Sequence, residues 1–377
     1  MKKEDFLYER VYNETKQKII SGELKKGSLL PSEKELSQDY NVNRTTIRKA
    51  LLLLVADGLV VKKPGIGTQV FNNEEFSKTQ KENLIKKFET TEGGTIGLFV
   101  PPAENKKDRI SQPFYSEILF FVERELNRFG YSVFYSSLDE SKDFENLLNQ
   151  QKLDGIIFVS NISQNFIDIT KKRNIPSLIV NNYNPQLFSI LADNVSGMED
   201  MTQYLISMGH KKFAVFTGLT DYISTKERLT GCLAGFSKNN ITDYKIYNMD
   251  WNPYKAYERA KVLFKEEKEL PTAIICFNDN IAFGCIRAAR EFGLQVPEDL
   301  SIVGFDNIDQ SRYFSPTLTT VNSNIDQISQ LAVQNILCQI NNPNLSYIYK
   351  AIIPHTLKIR ESSSAPPTQK VVIKKKY

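Results

Sequence analysis

Apolar positions recur at helical spacing over residues 6–21, with Leu7, Val11, Thr15, Ile19 and Ile20 sharing a face, until Ser21-Gly22 and Lys26-Gly27 break the pattern. Pro31-Ser32-Glu33-Lys34-Glu35 predicts a second, short helix, because Ser32 caps it and Glu35 three residues on completes a capping box. That helix ends near Tyr40-Asn41. Asn43 caps a third helix running to about Asp57, with Ile47, Ala50, Leu51 and Leu54 on its inner face and Gly58 closing it. Residues 59–61 and 69–71 read as short strands around the basic turn Lys62-Lys63-Pro64-Gly65-Ile66-Gly67-Thr68. Three helices and a basic hairpin predict a winged helix-turn-helix over residues 1–71.

Residues 72–94 are polar, mixed in charge and end in Gly93-Gly94, which predicts a linker. The pattern then changes. Apolar runs of strand length occupy 95–100, 132–135, 155–159, 177–180, 213–216, 273–276 and 302–305, with helical patterns between them at 115–129, 197–208, 228–236, 256–266 and 281–292. Buried strands separated by helices specify parallel β-α-β units with both sheet faces covered. The number of elements exceeds what one small sheet needs, so the fold class is α/β and the body over 95–361 has two lobes. Residues 362–377, with Pro366-Pro367 and Lys374-Lys375-Lys376, read as a disordered basic tail.

Composition narrows the function classes. No stretch approaches the roughly 20 apolar residues of a membrane span, and no signal peptide opens the chain, so a cytoplasmic location without membrane contact is expected. Cys232, Cys276, Cys285 and Cys338 are scattered, and His210 and His355 have no partner at ligand spacing, so no metal is expected. His210 reads as structural, in a Gly-His turn before a strand. Neither G-x-G-x-x-G nor a phosphate-loop lysine follows a strand. A kinase or dehydrogenase therefore lacks its parts, and no catalytic residue or cofactor is expected. The net charge of +4 divides unevenly: residues 1–71 carry thirteen Lys/Arg against nine Asp/Glu, and the tail adds four lysines. A basic head on a slightly acidic body places any polyanion at the ends.

The chemistry at those places is specific. Asn43-Arg44-Thr45-Thr46-Ile47-Arg48 opens the third helix, where Arg44 and Arg48 share a face suited to guanine edges and threonine hydroxyls suit phosphates. Lys34 can meet the backbone. Lys62 and Lys63 frame a wing whose Gly65 lets the main chain approach a minor groove. In the body, the residues after each apolar run are Pro101-Pro102, Ser160-Asn161, Asn181-Asn182, Thr217-Gly218, Asn278-Asp279 and Asp306-Asn307, groups that suit hydroxyls at the carboxyl ends of strands. Each alone also serves as a turn or cap.

Leu30-Pro31-Ser32-Glu33-Lys34-Glu35-Leu36, Asn41 to Leu51, Asp57-Gly58-Leu59 and Gly65-Ile66-Gly67-Thr68 resemble the GntR-type winged-helix signature in order and spacing. The resemblance implies that Lys34, Arg44, Thr45, Thr46, Arg48 and Gly65 contact DNA. Leu153 to Ile157, Ala192 to Gly197, Met208-Gly209-His210, Arg228 to Gly231, Phe277 to Ala282, Val296 to Asp306 and Ser315 to Val321 resemble the LacI/GalR-type effector domain. That likeness implies a periplasmic-binding-protein (type I) fold closing on a sugar, with Phe114, Asn181, Arg228, Trp251, Asn278 and Asp306 lining the cleft. Asn181 stands where an aspartate is usual, which removes a charge. The combination resembles arabinose repressors of Gram-positive bacteria.

These expectations describe a homodimeric repressor of double-stranded operator DNA, released by a monosaccharide effector. The alternative is an activator or co-repressor with a non-sugar effector. A transport binding protein would share the body but not the head.

Overall fold

Ser32 and Glu35 form the reciprocal cap that their spacing predicts: the Ser32 hydroxyl accepts from the Glu35 amide at 3.3 Å, and the Glu35 carboxylate accepts from the Ser32 amide at 2.8 Å. The computed structural model describes residues 7–25, 27–40, 42, 46–47, 50–51, 54, 59–63, 67–70, 93–102, 109–141, 143–343 and 348–368. They fall into two units, Met1–Glu92 and Gly93–Tyr377.

In the first unit, α1 (Leu7–Ile20) and α2 (Glu33–Asp39) precede helical residues at 46, 47, 50, 51 and 54 and a hairpin of β1 (Val60–Lys63) and β2 (Gly67–Val70). The hairpin pairs Val60 with Val70 and Lys63 with Gly67. Val11, Ile19, Leu36, Ile47, Ala50, Leu51, Leu54, Val60 and Val70 form its buried core, so the helical face read from the sequence is the packed face. Thr15 joins that face by donating its hydroxyl to the Val11 carbonyl at 2.7 Å.

The second unit contains two six-stranded sheets. Its elements are β3 (Thr95–Val100), α3 (Pro113–Asn127), β4 (Ser132–Ser137), α4 (Phe144–Gln151), β5 (Gly155–Val159), α5 (Gln164–Lys172), β6 (Ser177–Val180), β7 (Phe188–Ala192), α6 (Asn194–Ser207), β8 (Lys212–Thr217), α7 (Ile223–Lys238), β9 (Asp243–Asn248), α8 (Pro253–Glu266), β10 (Ala273–Cys276), α9 (Asp279–Glu291), β11 (Ser301–Asp306), β12 (Thr319–Asn322), α10 (Ile325–Asn341), β13 (Lys350–Ile353) and β14 (Thr356–Lys358). The first sheet runs β13-β7-β6-β5-β3-β4, all parallel. The second runs β14-β12-β11-β10-β8-β9, parallel except for β14.

Successive residues of a strand face opposite sides, and both sides are covered. In the first lobe Leu98 and Ile157 pack with α3 and α10, while Phe99 and Phe158 pack with Phe144 and Phe166 of α4 and α5. In the second lobe Ile274 and Ile302 pack with α8 and α9, while Ile275 and Val303 pack with α6 and α7. Truncating one of these fully buried phenylalanines to alanine costs about 3–5 kcal/mol. The chain crosses between the lobes three times, at residue 193, at 323–324 and at 354–355. The crossings are tied together. Asn324, at φ 53°, donates to the Pro354 carbonyl at 2.6 Å, and the Asp193 amide donates to the Ile353 carbonyl at 2.9 Å.

Several elements carry no apolar run and differ from expectation. β12 (Thr-Thr-Val-Asn) is largely buried yet polar, because Thr319 bonds Ser363 and the Arg360 carbonyl while Thr320 bonds Asp279. β9 is an edge strand with largely exposed side chains. α4, α5 and α10 are short or broken in pattern but pack tightly. The expected disordered tail is corrected at its start. Ser362 is fully buried, its carbonyl accepts from the Ile302 amide, and its hydroxyl donates to the Ile302 carbonyl at 2.6 Å. His210 also holds this segment: its Nε2 lies 2.8 Å from the Ser364 carbonyl and its Nδ1 2.9 Å from Thr272 Oγ1. Residues 369–377 and residues 72–92 of the linker predicted over 72–94 lie outside the described residues.

Candidate functional site

The carboxyl ends of the parallel strands in both lobes turn abruptly. Ser160, Asn181, Asp306 and Asn307 follow or end strands at φ 60°, 57°, 103° and 58°, a left-handed region that Asn and Asp tolerate better than most residues. The turns aim side chains into the space between the sheets instead of continuing the ladders. Phe114, Asn181, Arg228, Trp251, Asn278 and Asp306, the six residues expected from sequence, all line one cleft there.

Arg228 of α7 is its hub. The residue is 3% exposed. Its Nε donates to Asn194 at 2.9 Å, one Nη donates to the Phe277 carbonyl, and the other donates to Asp306 at 2.9 Å. Its centre lies 3.7 Å from the Phe305 ring centroid and 5.6 Å from that of Trp251. Burial pulls its pKa down, while Asp306 and Asp279 pull it back up. Asp306 is pushed upward by burial against the opposing pull of Arg228. Asp279 is pushed well above the usual carboxylate range by burial and by neighbouring Asp306. Its oxygens meet the Thr320 hydroxyl at 2.5 Å and the Ile308 amide at 2.9 Å.

The aromatic walls are held as firmly. Trp251, at φ 59°, lies over Gly218, where a Cβ would sit 2.1 Å from the indole. Glycine is required there by close approach, and Trp251 both packs and lines the cleft. Phe114 packs edge-on against Tyr115 at 5.3 Å. The Tyr115 hydroxyl donates to Ser160 Oγ at 3.1 Å, and Asn181 Nδ2 donates to the same oxygen at 3.0 Å. Asn278 caps α9 through the Ile281 amide at 2.8 Å while lining the cleft, so the cap role and the site role coexist.

Sequence reasoning missed Arg109, Tyr115 and Tyr222, which also line the cleft together with Asp279, one of the strand-end residues named from sequence. Arg109 lies in a 3-10 turn and Tyr222 just before a helix, away from the strand ends and from the positions that the resemblance carried. The inner cleft holds about 50 Å³, and a wider depression of about 720 Å³ adjoins Asn161, Asn182, Asp221 and Lys226.

For the head, the structure places Lys34 in the first turn of α2, Thr46 in the following helical segment and Lys63 at the end of β1. Arg44, Thr45, Arg48 and Gly65 lie outside the described residues. Among the described residues, no helix is long and apolar enough to cross a membrane.

Residues 7–70 match the family model described as bacterial regulatory proteins, gntR family, and residues 202–363 match the periplasmic binding protein-like domain. The chain is 32% identical over 262 residues to the HTH-type transcriptional repressor PurR of Actinobacillus pleuropneumoniae serotype 3, covering 67% of this chain and 76% of the relative. It is 28% identical over 320 residues to the probable HTH-type transcriptional repressor ExuR of Bacillus subtilis, covering 82% of this chain and 92% of that one. A LacI family transcriptional regulator from Enterococcus faecium with bound ribose superposes with a TM-score of 0.65 at 23% identity, over 72% of this chain and 99% of that one; this likeness shows the fold.

Proposed function

Because the chain belongs to the helix-turn-helix transcriptional repressors, with a gntR-type head and a periplasmic-binding-protein-like body, we propose that a monosaccharide bound between its two lobes controls its affinity for operator DNA. It is a DNA-binding regulator and not an enzyme. The observation that carries the sugar reading is the convergence of the Arg228–Asp306 pair with Asn181, Asn278 and the Trp251 and Phe114 rings on one cleft. Fixed hydrogen-bonding groups beside an aromatic face suit a polyhydroxylated ring.

The three crossings allow one lobe to rotate against the other, and Ser323 in a crossing donates to the Asp306 carbonyl at 3.3 Å, so the cleft and the hinge share a hydrogen bond. Fifty cubic ångströms accommodates only a few waters, so the sugar enters as the lobes part. In this reading the protein is a homodimer whose two heads read a pseudo-palindromic operator through Lys34, Arg44, Thr45, Thr46, Arg48, Lys63 and Gly65. Residues 1–71 form the head, 72–94 the linker and the following residues the sensor. The sugar is an inducer, and by reciprocity operator DNA weakens sugar binding by the same factor, typically about 1–3 kcal/mol.

The test is a thermal-shift screen against pentoses, hexoses and deoxyhexoses, their acids and their phosphates, followed by operator titration by anisotropy with and without the hit. A stabilising sugar that weakens operator binding is expected. Tighter operator binding with sugar would overturn induction, and no hit at millimolar concentration would overturn the sugar.

A further inference from the structure

Arg109 lies in a short 3-10 turn, Arg109–Ser111, ahead of α3, and is 5% exposed. It lines the cleft opposite Arg228, on the first lobe. Its Nε and Nη2 donate to the Pro101 and Pro102 carbonyls at 3.4 and 2.6 Å, and its guanidinium lies 5.2 Å from the Tyr115 ring centroid. Among the described residues, no carboxylate lies within ion-pair distance of it.

The other charges of the cleft are accounted for. Arg228 is paired with Asp306 at 2.9 Å. Asp279 is hydrogen-bonded to Thr320 and to the Ile308 amide, and burial favours its neutral, protonated form. Among the described residues, Arg109 is therefore the cleft cation with no carboxylate partner. Burying a guanidinium without a counter-charge is costly. Two carbonyls and the Tyr222 hydroxyl meet part of its five N–H groups, and the remainder can serve a ligand. Arginine binds carboxylate and phosphate through paired, directional hydrogen bonds that a hydroxyl cannot match.

We propose that the effector carries an oxyanion, a carboxylate or a phosphate, that is bound by Arg109. This rests on the reading of the cleft as a sugar site and narrows it to acidic sugars. The carbonyl bonds give Arg109 a structural role as well, so the test must separate the two.

Isothermal titration of the full chain would use two matched series: glucose, glucuronate and glucose 6-phosphate, and galactose, galacturonate and galactose 6-phosphate. An acidic member should bind about 10- to 100-fold tighter than its neutral parent, as expected for a hydrogen bond to a charged group. Whether the uronate or the phosphate is preferred identifies the oxyanion. Arg109→Gln should shrink the preference by a similar factor, and Arg109→Lys should keep part of it. If Arg109→Gln does not fold, the wild-type preference and Arg109→Lys still decide. Neutral sugars binding as tightly as their acids would overturn the proposal and leave the sugar reading standing. Binding of neither series would overturn the proposal, and the thermal-shift screen then decides the sugar reading.

Discussion

Arg228 and Asp306 meet at 2.9 Å in the second lobe, both buried, one from the first half of α7 and the other from the end of β11, 78 positions apart. The same arginine reaches Asn194 and the Phe277 carbonyl, so one side chain joins α6, α7, β11 and the turn after β10.

Arg228→Ala is expected to remove the ligand-induced thermal shift and to lower stability by about 3–5 kcal/mol, because it leaves Asp306 buried without its partner. Urea unfolding with and without the effector would separate the two effects. Wild-type stability in the variant would show that the pair is not structurally coupled.

Asp279 has its pKa raised in the folded state, so its contribution to stability is present at low pH and is lost as pH rises through its folded value. Asp279→Asn mimics the protonated carboxyl: its oxygen can accept from the Ile308 amide and its nitrogen can donate to Thr320. The variant should fold and lose the fall in stability that Asp279 contributes over the range above the ordinary carboxylate value. Parallel melting curves across that range check this, and identical slopes would refute it.

Trp251 is the single tryptophan of the chain and lines the cleft, so its emission reports events there. The effector should change that emission. Gly218→Ala, whose new methyl would sit 2.1 Å from the indole, should displace the ring and abolish the response. A wild-type-like titration by Gly218→Ala would contradict this placement.

His210 is buried and its pKa is lowered, first by burial and against the pull of the Ser364 carbonyl. Its contribution is present above the unfolded value near 6.5 and is lost as pH falls through the folded one. Protection of the Ser362–Ser364 amides, measured relative to their intrinsic exchange rates, should therefore fall as pH drops below about 6.5. His210→Gln should flatten that dependence, and pH-independent protection in the wild type would sink the idea.

Arg44→Ala and Arg48→Ala should each weaken operator binding by about 1–3 kcal/mol if they read bases. Lys63→Ala should chiefly reduce the salt slope, as for a phosphate contact. Anisotropy titrations at three salt concentrations would distinguish these outcomes.

The capping box at Ser32, the inner face of Ile47, Ala50, Leu51 and Leu54, and most buried strands were legible because each is a local rule: a spacing, a cap or an apolar run. The cleft residues at strand ends were legible for the same reason, since parallel α/β topology fixes which end of a strand faces the ligand. β12 was not, because its threonines are buried only by virtue of partners more than 40 residues away. Nor was Ser362, whose polar, small-residue context reads as tail until Ile302 and Thr317 supply its hydrogen bonds.

The sequence by itself determined the two-part organisation and the alternation of strands and helices, and its resemblance to a known family supplied six cleft residues. Only the tertiary structure decided which charges neutralise one another. Arg228 and Arg109 are the same residue type, but the first finds Asp306 across 78 positions and the second finds carbonyl oxygens. Pairing is a matter of distance in space in a medium where charge is costly, and no periodicity along the chain encodes it.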